Sequence, residues 1–130
     1  MTDVLPTPAL PRVRSALRRL GERTCVIGLG DSLCRDDTLT ADELTAAAAV
    51  QGCRDYVFDL TGVLRFESPA LQDVAALWRR LADYGCAVVV AAYDPGLVAE
   101  LRRAPTESAG WELAPTVADA LRDLLGRPVE

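Results

Sequence analysis

Residues 56–71 read Tyr-Val-Phe-Asp-Leu-Thr-Gly-Val-Leu-Arg-Phe-Glu-Ser-Pro-Ala-Leu, and this run constrains the fold more than any other part of the chain. Tyr56 to Leu60 is β-branched and aromatic and stops at Thr61-Gly62, the pattern of a buried strand. Ser68 suits an N-cap, with Pro69 at the first helical position. From Pro69 to about Tyr84, Leu71, Val74, Leu77, Trp78 and Leu81 recur at helical spacing, and Gly85 closes the helix. A strand thus hands over to a helix of roughly 24 Å through a short loop. One serine hydroxyl sits at the positive end of that helix, where free backbone N–H groups and the dipole favour a phosphate.

The same alternation runs through the rest of the chain. Thr24 to Leu29 reads as a strand, and Gly30-Asp31-Ser32-Leu33 as a polar turn after it. Arg35-Asp36-Asp37 reads as a charged loop. Thr40-Ala41-Asp42-Glu43 has the form of a capping box, opening a helix through Leu44, Ala47, Ala48 and Val50 to about Gly52. Cys86 to Ala92 is apolar on both faces, as a parallel strand covered by helices requires. Asp94 is placed to cap a short helix over Leu97 to Arg103. Pro105 to Gly110 reads as a loop and Trp111 to Leu113 as a last strand. Thr116-Val117-Ala118-Asp119 opens a final helix with Val117, Ala120, Leu121, Leu124 and Leu125 on one face, ending at Gly126.

Strand, helix, strand, helix, strand, helix implies an α/β domain. The expected architecture is a mostly parallel central sheet of four to five strands flanked by about four helices. Residues 23–126 form this domain and 127–130 a tail. Residues 1–22 form an N-terminal extension: an arm broken by Pro6, Pro8 and Pro11, then a short basic amphipathic helix over Arg12 to Leu20 with Val13, Leu17 and Leu20 on one side.

Composition excludes most catalytic chemistry. All fourteen basic residues of the 130-residue chain are arginine, and there is no histidine. A Ser-His-Asp triad, an imidazole ligand, a Schiff base and a P-loop lysine are therefore out of reach. Gly30-Asp31-Ser32-Leu33 matches the nucleophile block of GDSL-type hydrolases, but those enzymes activate the serine through a histidine. Asp36, Asp37 and Asp59 together suggest a phospho-receiver site, which needs a lysine. Asp59-Leu60-Thr61-Gly62 resembles an aspartyl-phosphate loop, which needs a second carboxylate or a lysine in set places. An enzyme with Ser32 or Asp59 as nucleophile is the weakest reading, and Asp59 is expected to bind backbone N–H groups of its own loop. No catalytic residue, cofactor or metal site is expected. The four cysteines show no Cys-x-x-Cys pair and read as buried, reduced thiols. A net charge of −5 argues against nucleic acid as the main partner. No apolar run nears the ~20 residues of a membrane span, and the N-terminus lacks signal-peptide character, so a cytoplasmic protein is expected.

Phe58-Asp59-Leu60-Thr61-Gly62-Val63, followed by Glu67-Ser68 and Leu71, resembles the core motif of the STAS domain family. That family includes bacterial anti-sigma factor antagonists and the cytoplasmic tails of sulphate transporters. Its pattern is a strand, Asp-Leu-Ser/Thr-Gly-Val, about four residues, then Asp-Ser-Ser/Thr-Gly-Leu opening a helix. The later Asp-Pro turn, Gly-Trp and Thr-Val-x-x-Ala-Leu follow in the family's order, so the resemblance spans roughly residues 24–125. It implies that the chain binds an anti-sigma factor of the ATP-binding serine-kinase type and frees a sigma factor. Ser68 matches the serine the kinase phosphorylates. Asp59, Thr61, Gly62, Arg65, Glu67, Ser68, Pro69 and Gln72 are the partner-binding positions it implies. Glu67, Pro69 and Ala70 depart from the family's Asp, Ser/Thr and Gly. The alternative it leaves is a STAS scaffold without a phosphoswitch, or an accessory subunit of a larger complex such as a lipid-transport ABC system. The family also allows an extended segment where the basic N-terminal helix is expected.

Overall fold

The computed structural model of the protein describes residues 16–103 and 110–125. The strand over the central motif, β4 (Asp55–Asp59), is the middle strand of a five-stranded sheet. It pairs in parallel with β2 (Thr24–Gly28) on one side and with β6 (Ala87–Ala91) on the other. The sheet ends in β1 (Ala16–Arg19), antiparallel to β2, and in β7 (Glu112–Ala114), parallel to β6. Two further strands, β3 (Ser32–Leu33) and β5 (Arg65–Phe66), form a separate parallel pair. The helices are α1 (Arg35–Val50), α2 (Ser68–Asp83), α3 (Pro95–Arg103) and α4 (Val117–Leu125). This is the expected class, with five strands in the main sheet and four helices among the described residues.

Strand periodicity divides the core. Cys25, Ile27, Tyr56, Phe58, Val88 and Val90 face α1, α2 and α3, while Val26, Val57 and Val89 face α4. The inner parallel strands β2, β4 and β6 are therefore apolar on both faces, which only helical cover on each side permits. The longest contribution comes from α2, whose Leu71, Val74, Leu77, Trp78 and Leu81 are buried as their spacing predicts. Each such burial is worth about 1.5–3 kcal/mol. Trp78 is fully enclosed between the Phe58 ring at 5.7 Å and the edge of Trp111 at 5.0 Å. Tyr56 lies beneath, its hydroxyl donating to the Cys53 carbonyl at 3.2 Å. Burial, helped by the nearby Cys86 thiol, raises the Tyr56 pKa above the ordinary tyrosine value.

Several local expectations are corrected. Residues 16–19 form a strand and not the end of a basic helix. Leucine and valine four residues apart satisfy a period of two as well as one near 3.6, and the open edge of β2 supplies hydrogen bonds that an isolated short helix lacks. Arg18 and Arg19 then place charge on an edge strand, a common guard against further pairing. Residues 1–15, with Arg12, Val13 and the proline arm, lie outside the described residues, as do most of the 105–110 loop, Gly126 and the 127–130 tail.

The first helix begins at Arg35, five residues before the supposed box at Thr40. Its real cap is Cys34, whose backbone N–H donates to the Asp37 carboxylate at 2.8 Å. Asp36 and Asp37 then lie in the first turn, where the dipole favours them. Ala41, Thr45 and Ala48 face inward, while Ala47 and Val50 are exposed. Leu125 is likewise exposed at the end of α4, which buries Ala120 and Leu124 instead. The other two caps stand as read: Asp94 accepts the Leu97 N–H at 3.0 Å, and Thr116 Oγ1 accepts the Asp119 N–H at 3.0 Å.

Two cysteines expected to be reduced are joined. Cys25 on β2 and Cys53 before β4 form a disulfide across a Cα–Cα distance of 6.2 Å. The parallel register pairs Cys25 with Tyr56, which brings the turn carrying Cys53 alongside. Cys34 and Cys86 are free. No helix among the described residues is long and apolar enough to cross a membrane.

Two outcomes follow for the scaffold. Thiol titration of the unfolded, unreduced protein returns two thiols, those of Cys34 and Cys86. Gly110 has φ +76°, and a Cβ built there meets the Ala82 side chain at 2.6 Å. Gly110→Ala therefore lowers stability by about 1–3 kcal/mol, read from denaturant unfolding.

Candidate functional site

The carboxyl edge of the sheet is where β4 becomes α2. Asp59, at the end of β4, turns its carboxylate back on its own loop. Oδ1 accepts the Thr61 backbone N–H at 2.9 Å and the Thr61 hydroxyl at 2.5 Å. This is the local role its position predicts, and it fixes the direction in which the chain leaves the sheet. Leu60 N–H donates to the Ala91 carbonyl and Val63 N–H to the Leu60 carbonyl, completing the turn. Gly62 passes close to the loop after β2, where a Cβ would stand 3.4 Å from the Gly30 carbonyl oxygen.

The next residues are tied to that neighbouring loop. Leu64 N–H donates to the Asp31 carbonyl at 2.9 Å, β5 pairs with β3, and Glu67 N–H donates to the Leu33 carbonyl at 3.0 Å. The starts of α1 and α2 therefore lie side by side. Glu67, not Ser68, is the N-cap of α2, with φ −108° and ψ 135°, and its side chain makes no cap hydrogen bond. Ser68 is the first helical residue and Pro69 the second, one position later than their sequence suggests. Proline tolerates both positions, because neither N–H has a helical acceptor.

Ser68 is exposed and its hydroxyl has no hydrogen-bond partner among the described residues. Around it the first turn offers the N–H groups of Ser68 and Ala70, while Pro69 contributes none. Arg65, Glu67, Pro69 and Gln72 are exposed beside it. Ser68 stands between two hollows. One, of about 590 Å³, is lined by Arg35, Glu67, Pro69, Ala70 and Asp73. The other runs along α2 past Gln72. All eight positions expected at a partner surface thus share one edge, but Asp59 and Thr61 are half-buried and bonded to each other. Two apolar residues at the same edge were not anticipated. Leu64 is 75% exposed and Tyr93, two residues beyond the β4 partner Ala91, is 74% exposed. Strand patterning carries no signal for them, since both lie in loops.

The rival site does not assemble. Ser32 is buried in β3, with its hydroxyl 3.5 Å from the Asp37 carboxylate, and that carboxylate already accepts the Cys34 N–H. Among the described residues no group of three or more Cys, Asp or Glu side chains is placed to hold a metal ion.

Comparison with known proteins gives a fold. No protein-family model matches the chain. No curated protein matches it. Among solved structures, the unphosphorylated form of the anti-sigma factor antagonist SpoIIAA superposes with a TM-score of 0.67 at 16% identity, over 88% of this chain and 100% of that one. An anti-sigma factor antagonist from Mycobacterium paratuberculosis gives 0.69 at 20% identity, over 87% and 94%. The phosphorylated form of SpoIIAA, a Bacillus cell fate determinant, gives 0.67 at 14% identity, over 85% and 99%. The chain has the SpoIIAA fold, and the STAS resemblance read from residues 58–71 holds at that level.

The two ends of the junction differ in what they contribute to stability. Asp59→Ala removes a carboxylate that accepts two bonds and lowers unfolding free energy by about 1.5–3 kcal/mol. Ser68→Ala, at an exposed position without a capping bond, changes it by less than about 0.5 kcal/mol. Urea unfolding of the two variants measures both.

Proposed function

We propose that this chain is a protein-binding switch of the anti-sigma factor antagonist type. In its unmodified form it binds an anti-sigma factor of the ATP-binding serine-kinase type and so releases a sigma factor. The kinase phosphorylates Ser68, and the complex parts. The partner supplies both nucleotide and catalysis, so this chain is a substrate and not an enzyme, and it acts in the cytoplasm. The observation that carries the reading is the exposed, unbonded Ser68 hydroxyl in the first turn of α2, in a fold shared with a SpoIIAA structure described as phosphorylated.

The physics of the switch follows from the junction. Ser68 is reachable by an active site without unfolding anything, because its side chain caps nothing. Phosphorylation adds about −1.5 to −2 charges at pH 7. The dipole of α2 and the remaining N–H groups of its first turn tolerate that charge, so the fold persists. A partner lying over Leu64, Tyr93 and Gln72 would bury the dianion beside Glu67, and binding fails through desolvation and repulsion.

One feature supports a second reading, a scaffold without a phosphoswitch. Pro69 removes one of the first-turn donors and stiffens the main chain next to Ser68, where the family pattern has Ser/Thr followed by Gly. Incubation with an anti-sigma kinase and Mg-ATP decides between them. The switch reading expects one added phosphoryl group, mapped to Ser68 by mass spectrometry and lost in Ser68→Ala. It also expects Ser68→Asp to weaken binding of the kinase by more than about tenfold without changing the unfolding midpoint. An unmodified Ser68, with binding indifferent to Ser68→Asp, leaves the scaffold.

A further inference from the structure

Between α2 and the last turn of α3 lies a groove of about 560 Å³, within the range of small-molecule sites. Its wall on α2 is a single stripe, Ser68, Leu71, Gln72, Ala75, Ala76 and Arg79. Eleven helical steps from Ser68 to Arg79 make it about 16 Å long, and the two alanines hollow its middle. Leu101 of α3 and Trp111 complete an apolar floor; both are at least nine-tenths buried, yet both line the groove.

Charge is placed at one end. α2 and α3 both cross between parallel strands and run the same way, so the late turn with Arg79 lies toward the late turn with Glu100 and Arg103. Ser68 lies at the opposite end. Arg103 shares an exposed pair with Glu100 at 3.2 Å, while Arg79 has no acidic partner among the described residues. Two guanidinium groups thus face one carboxylate beside an apolar trough, in a chain whose net charge is −5.

We propose that this groove binds a small amphipathic anion. A linear apolar tail lies along Leu71, Ala75 and Leu101, and an acidic head group pairs with Arg79, whose planar fork suits a carboxylate. The site does not depend on the kinase reading: it exists whether or not Ser68 is modified. Its tail end reaches the Ser68 lip, so a bound ligand narrows the space beside that hydroxyl.

The chain carries its own reporter. Its two tryptophans are Trp111, in the groove, and Trp78, in edge contact with it. Titration of the full chain with dodecanoate, below the concentration at which it forms micelles, is expected to change tryptophan emission saturably. Dodecyltrimethylammonium, with the same tail and the opposite charge, is expected to give no saturable change. Arg79→Glu alters an exposed side chain and weakens dodecanoate binding by about tenfold or more. Ala76→Phe fills the trough and abolishes binding; if that variant fails to fold, Arg79→Glu decides alone. Calorimetric titration repeats each arm, so that an insensitive tryptophan cannot hide binding. Three results overturn the proposal: no heat and no emission change with dodecanoate, which leaves the groove to a partner's helix; an equal response to both detergents, which marks unselective adsorption; or unchanged dodecanoate affinity in Arg79→Glu.

Discussion

Main-chain hydrogen bonds hold β2, β4 and β6 side by side in parallel, with Gly28, Asp59 and Ala91 level with one another. Parallel neighbours cannot be joined by tight hairpins, so each crossover must be a helix. The helices in turn need apolar cover on the sheet, which the alternation of Val57 with Tyr56 and Phe58 supplies to both faces. The same register brings every strand to an end at one edge. The Asp59 turn, the Gly30 loop and Tyr93 meet there because their strands stop together. In open α/β sheets this carboxyl edge is where ligands and partners are met.

At that edge a short polar contact directs a long apolar element. The Asp59 carboxylate holds Thr61, the loop is laced to the Gly30–Leu33 segment, and α2 starts with its first turn facing solvent. The far side of α2 is anchored by Trp78 between Phe58 and Trp111. A rigid helix whose amino end is exposed and whose body is buried can accept charge at that end without loss of fold. In the switch we propose, this division lets one serine alter a surface without altering a structure.

Legibility varied with the range of the interactions involved. Helical spacing in Leu71, Val74, Leu77, Trp78 and Leu81 is a local signal, and α2 was readable to within a residue. The apolar runs 56–60 and 86–92 announced β4 and β6, and Asp94 and Thr116 announced their helices. Thr40-Ala41-Asp42-Glu43 misled, because the same residue types occur inside helices. The competing start at Cys34 depends on a cysteine backbone N–H reaching Asp37, which no composition rule marks. The segment ending at Arg19 misled because its apolar spacing fits two periods, and the free edge of β2 chose between them. The eight candidate surface positions are implied by the STAS pattern, whereas the exposure of Leu64 and Tyr93 depends on how two loops leave the sheet.

The sequence by itself determined the alternation of the main strands and helices from β2 onward, the apolar stripes that bury them, and the junction that carries Ser68. These rest on local periodicity and on the conformational habits of single residues. Tertiary structure alone decided that Cys25 meets Cys53, that Glu67 and not Ser68 caps α2, and that a groove opens between α2 and α3. Each depends on groups far apart in the chain being brought together, or on where a main chain bends once its neighbours hold it. Such contacts are set by parallel register and helix packing, which leave no periodic trace in the residues they join.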